Sequence, residues 1–179
     1  MRIAILSLLV VFMSCGTSKS TATASEINNL KQMVANKRIE ASFDWARPLG
    51  INNVRGLENL IPPGSTINNI NLSGNANFFR IKGDSIHMDL PYYGTQQLST
   101  GYNSDGGVKF EGKIKKEESF YDANKGAYIL KYSLDAKKEN YGVTLTLYAN
   151  NKSILDLNSS HRTNINYTGN WKELKETSK

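Results

Sequence analysis

The chain has 179 residues, enough for one ordinary hydrophobic core and few for two domains. Its formal charge of +6 is scattered; Lys113, Lys115 and Lys116 form the densest basic cluster, and Glu111, Glu117 and Glu118 flank it, which excludes the unbalanced basic stripe a nucleic acid requires. One cysteine excludes an internal disulfide, so the fold must rest on an apolar core.

Residues 1–14, "MRIAILSLLVVFMS", have the parts of an export signal. Arg2 is the positive start, Ile3 to Met13 form an apolar run broken only by Ser7, and Ser14 is the small residue at the end. A span of the bilayer needs about 20 residues, more than this run holds. A core helix would show a polar face, and this segment has none. Phe12-Met13-Ser14-Cys15 resembles a bacterial lipobox, with Phe where Leu is usual. The resemblance implies that Cys15 becomes the N-terminal residue and carries acyl chains on its sulfur and amine. Two or more chains anchor stably where one does not. Losing residues 1–14 removes Arg2 and no acid, so the charge falls from +6 to +5. After Cys15 the stretch "GTSKSTATA", Gly16 to Ala24, is small, polar and aperiodic. Residues 15–24 are therefore expected to be an acylated cysteine and a flexible tether reaching about 30 Å. A single β-rich domain is expected over residues 25–179.

The domain opens with "SEINNLKQMVANKR", where Ile27, Leu30, Met33 and Val34 share a helical face and Ser25 stands as N-cap. Alternation then takes over. In "RIEASFDWAR" the spacing puts Ile39, Ala41, Phe43 and Trp45 on one side and Glu40, Ser42 and Asp44 on the other. "VKFEGKI", "VTLTLYA" and "INYTGNW" repeat the pattern, with Val108, Phe110, Val143, Leu145, Leu147, Ile165, Tyr167 and Trp171 inward. Such period-2 strands, polar on one face, predict antiparallel sheet. Gly83-Asp84 and Asn150-Asn151 suit two-residue hairpins, and Asp105-Gly106-Gly107 and Asn124-Lys125-Gly126 mark further turns. The expected fold is all-β: an antiparallel meander forming a sandwich or a partly closed barrel, with one N-terminal α-helix against an end or open edge.

"ASFDWARPL" (Ala41 to Leu49), "GDSIHMDLPYYG" (Gly83 to Gly94), "GGVKFEG" (Gly106 to Gly112) and "SSHRTNINYTG" (Ser159 to Gly169) follow one another across most of residues 38–171. Together these blocks resemble the family called domain of unknown function 4251. The resemblance implies a small lipoprotein of the Bacteroidota with a β-rich fold, and no catalytic or binding residue. In similar lipoproteins, acids just after the cysteine mark export to the cell surface. Here Lys19 occupies that region and the first acid is Glu26, which implies the outer membrane facing the periplasm.

No reactive set emerges, so the reading is not an enzyme. Ser85, His87 and Asp89 alternate along one strand, but neighbours on one strand face stand about 6.6 Å apart, too far for a hydrogen-bond relay. His87 and His161 are the only histidines and are distant in sequence; no metal and no cofactor is expected. In "LPYYG", Pro91 ends a strand and sets Tyr92 and Tyr93 at the rim. One reading is a corner in which a Tyr hydroxyl bonds backbone; the other is an aromatic platform for a sugar or apolar ligand. His161-Arg162 precedes the last strand, and Arg162 suits either an anion or a core-edge carboxylate. Tyr92, Tyr93, His161 and Arg162 are the candidate ligand residues, and Cys15 the lipidation site. The function expected is a non-enzymatic envelope module for a protein, glycan or small apolar ligand. The alternative is a lipocalin-like carrier, which needs an empty interior; Phe43, Trp45, Phe78, Phe79, Phe110 and Tyr167 are expected to fill it.

Overall fold

The computed structural model describes residues 22–49, 61–97, 106–137 and 139–175. The signal, Cys15, most of the tether and most of the connection after the first strand lie outside the described residues. Those described form one helix, α1 (Ala24–Asn36), and ten strands. The strands are β1 (Arg38–Pro48), β2 (Ile70–Asn71), β3 (Phe78–Lys82), β4 (Ser85–Leu90), β5 (Val108–Lys113), β6 (Lys116–Asp122), β7 (Ala127–Asp135), β8 (Asn140–Tyr148), β9 (Lys152–Ser159) and β10 (Ile165–Glu173).

Thr23, rather than Ser25, caps α1. The Glu26 amide donates to Thr23 Oγ1 at 3.3 Å and the Thr23 amide donates back to the Glu26 carboxylate at 2.7 Å. This capping box needs an acid three residues after the cap; Thr23 has Glu26 there, whereas Ser25 has Asn28. Ala24 therefore belongs to the helix and Thr23 to its cap, although both fall in the expected tether. Leu30 is sealed in the core, with Ile27, Met33 and Val34 partly buried around it.

The strands form one antiparallel sheet in the order β5-β4-β3-β1-β10-β9-β8-β7-β6, with β2 added to β1. From β6 to β10 the chain is a plain meander, and β1 closes against its last strand. The N-terminal strand thus stands mid-sheet, between β3 and β10. β5 and β6 hold opposite edges, yet only Ile114 and Lys115 separate them. A chain advances at most about 3.6 Å per residue, so the edges must meet there. The Ile114 amide bonds the Asp84 carbonyl (2.9 Å) and the Lys115 amide bonds the Ser133 carbonyl (3.0 Å), one toward each edge. The sheet is a curled half-barrel. Of the two arrangements expected from the sequence, it is the partly closed barrel.

Rings fill the interior. Phe79 on β3 meets Tyr132 on β7 with centroids 6.3 Å apart, and Phe110 on β5 meets Tyr141 on β8 edge-on at 6.5 Å. These pairs join strands far apart in sheet order. Phe43 and Tyr167, on neighbouring strands, add a third contact at 5.5 Å.

Two expected core residues are placed otherwise. The β1–β10 register slips between Phe43 and Trp45, so Asp44 is an extra residue and the alternation changes phase. Ala46 then takes the fully buried position, and Trp45 is half-buried. In β3 the inward site belongs to Phe79; its neighbour Phe78 faces out, under the Arg80 guanidinium at 4.0 Å and beside His87 at 4.7 Å. Gly169 lies opposite the bulge. A Cβ there would stand 2.1 Å from the Ser42 carbonyl oxygen and 2.5 Å from Phe43 Cα, so only glycine admits this strand approach.

Candidate functional site

Three loops meet at one end of the half-barrel: residues 91–97 after β4, Ala136, Lys137 and Glu139 between β7 and β8, and residues 160–164 between β9 and β10. Pro91 lacks an amide and leaves the sheet, and its carbonyl accepts from the buried Tyr167 hydroxyl at 2.8 Å. The Tyr92 hydroxyl donates to the Thr163 carbonyl at 2.8 Å, and the Thr163 hydroxyl sits 2.9 Å away to complete the pair. The Thr95 carbonyl lies 3.0 Å from the same phenol. Burial, more than any neighbouring charge, pushes the Tyr92 hydroxyl above its ordinary pKa. Backbone bonds from Thr163 to Thr95 (3.0 Å) and Gln97 to His161 (2.8 Å) tie the two loops together.

Arg162 lies beneath this corner. Its Nε donates to both Glu139 oxygens, at 3.0 and 3.2 Å, and Nη1 donates to the Gly106 carbonyl at 2.7 Å. Tyr141 donates its hydroxyl to Glu139 at 3.0 Å, and Ser159 donates a second. Arg162 also stands 5.1 Å from the Tyr92 ring centroid. The ion pair is almost sealed, with side chains 4% and 3% exposed. Buried charges of this kind are tolerated only when paired and bonded throughout, and here they are. Every donor named is spent on the protein itself. Chemically the cluster is a knot that clasps loops.

Of the four candidate ligand residues, Tyr92 and Arg162 are brought together. Tyr93 is half-buried against the core, and His161 turns its Nδ1 to the Ser160 hydroxyl at 2.7 Å. Sequence reasoning missed Glu139, Tyr141 and Ser159. Their signal was weak: an acid beside a strand start, in a stretch that reads as an ordinary turn. Cys15 lies outside the described residues.

Ser85, His87 and Asp89 lie along β4 with separate partners. Ser85 donates to Asp84 (2.9 Å), His87 stands edge-on to Phe78, and Asp89 pairs with Lys109 at 3.7 Å. No relay links them. Among the described residues, no group of three or more His, Cys, Asp or Glu side chains is placed to hold a metal ion.

Two hollows of about 390 Å³ each lie on the outer, polar sheet face. One opens where Gly142 stands between Ser133 and Asn158 in register. The other opens beside Gly112, over the Arg80–His87–Glu111 row.

The family model described as Domain of unknown function (DUF4251) matches residues 21–171. The chain belongs to the DUF4251 family. The crystal structure of a DUF4251 family protein from Bacteroides eggerthii superposes on this DUF4251 chain with a TM-score of 0.56 at 13% sequence identity, over 85% of this chain and 90% of that one. At that identity the likeness is one of fold. A comparison with the curated proteins found no match. Among the described residues, no helix is long and apolar enough to cross a membrane.

Proposed function

We propose that this DUF4251 chain is an envelope lipoprotein, held by acyl chains on Cys15 at the outer membrane and facing the periplasm. Its β-domain is a non-enzymatic binding module for an envelope protein or glycan. The observation that carries the binding part is the crossing of the interior by Phe79–Tyr132 and Phe110–Tyr141, which puts aromatic rings where a carried ligand would sit. The surface left for recognition is the outer sheet face with these two hollows. The second reading, a carrier of a small apolar ligand, draws support from the curled sheet alone.

Metabolic labelling with a fatty acid analogue tests the anchor. Wild type should take up label and sediment with membranes, and Cys15→Ala should do neither; label persisting on the variant overturns lipidation. Native mass spectrometry of the labelled and variant chains tests the module. A co-purifying small apolar mass retained by the Cys15→Ala chain favours the carrier over the module.

A further inference from the structure

Among the described residues, β6 is an edge strand bonded to β7 alone. Residues 116–121 are exposed on both faces, and Phe120 and Tyr121 are 45% and 37% exposed. A free row of amides and carbonyls beside exposed rings is a template for another strand. Its charges decide which one. Glu117 is neutralised by Lys37 at 2.6 Å and Glu118 is faced by Lys131 at 3.8 Å, both from the same chain. Lys116 and Asp122, at the two ends of the strand, are left with opposite signs.

We propose that two copies of this chain pair antiparallel along β6, in the register that sets Ser119 against the partner's Ser119. A two-fold axis normal to a sheet must centre the pairing on one residue, which leaves few registers. Centred on Glu118, that carboxylate faces itself. Centred on Phe120, Glu118 faces Asp122. Centred on Ser119, Lys116 faces Asp122 at both ends, Glu117 faces Tyr121 and Glu118 faces Phe120. All of β6 is then paired and no like charges stand opposite, which is the favourable case for cross-strand pairs. The Asp122 carboxylate accepts from the Asn124 and Lys125 amides through Oδ1, and Oδ2 remains for the partner. This association uses neither the anchor nor the hollow beside Gly112 and shares only Lys116 with the other hollow; crosslinking at Ser119, which lines neither, separates its failure from that of the proposed function.

The test uses the full chain with Cys15→Ala, which removes the only thiol, in mild detergent. Sedimentation velocity should give a dimer, weakened at least about tenfold by Lys116→Glu or Asp122→Lys and recovered when both are present. Asp122→Lys also disturbs a turn, so Lys116→Glu, on an exposed side chain, is the deciding single variant. Ser119→Cys should form an intermolecular disulfide faster than Phe120→Cys, because only the former self-pairs at bridging distance. A monomer at every concentration overturns the pairing. So does a dimer indifferent to Lys116→Glu, or a disulfide no faster at position 119 than at 120.

Discussion

Arg162 and Glu139 form a two-pronged contact from one guanidinium nitrogen to both carboxylate oxygens, almost wholly out of solvent. Removing one partner of such a pair strands the other charge. Arg162→Met is expected to destabilise by about 3–5 kcal/mol. Adding Glu139→Gln removes the stranded charge and should recover part of that loss. Urea unfolding of both variants checks this, and a double variant as unstable as the single one contradicts it.

Tyr92 and Tyr93 adjoin in sequence but differ in what their hydroxyls do. Tyr92→Phe takes the phenol donor from the partly buried Thr163 carbonyl and is expected to cost about 1–3 kcal/mol. Tyr93→Phe should leave the unfolding midpoint where it is. Thermal and urea unfolding of the two variants decide; equal midpoints would mean that the Tyr92 bonds do not hold the corner.

Gly169→Ala is expected to be more damaging than its single methyl suggests. The new Cβ would meet backbone atoms of Ser42 and Phe43, which cannot rotate away. Overpacking usually costs about 1–3 kcal/mol, and rigid backbone puts this case at or above the upper end. Gly126→Ala, where nothing lies within 4 Å, is the comparison, with a cost set by its positive φ alone. Similar losses in the two variants would show that the strands can part.

Glu40 should give the fold a pH dependence. Burial pushes its carboxyl up, but bonds from Lys172 Nζ (2.9 Å) and Arg80 Nε (2.5 Å) outweigh it and hold the carboxyl below the usual range. A lowered folded-state pKa stabilises at pH above the unfolded value, about 4.3 for Glu. That contribution is lost as pH falls through the folded-state value. The stability gap between wild type and Glu40→Gln should therefore be full near neutrality and shrink below about pH 4. Unfolding curves across that range measure it, and a gap that widens in acid reverses the sign.

Much of the architecture was legible in the chain because strands and hairpins are local. Ile86, Met88 and Leu90 alternate with Ser85, His87 and Asp89, and burial follows that alternation. Gly83 and Asn151 mark turns because few residues accept positive φ, and both adopt it. The same locality explains the miss at Trp45. A bulge depends on which strand lies alongside, here one whose Gly169 lets β1 approach; nothing within "RIEASFDWAR" records that.

By itself the sequence determined most strand faces, the turns, the helix before β1 and the all-β class, since each follows from side-chain period and backbone preference over a few residues. Tertiary structure alone decided that β1 sits mid-sheet, that β5 and β6 meet across two residues and that Arg162 reaches Glu139. These join positions distant in the chain, and no local pattern carries a pairing set by the curl of the whole sheet. The same holds for the fate of Arg162. Its charge was evident in the sequence, but whether it met a ligand or a carboxylate depended on which loop the closing barrel brought beside it.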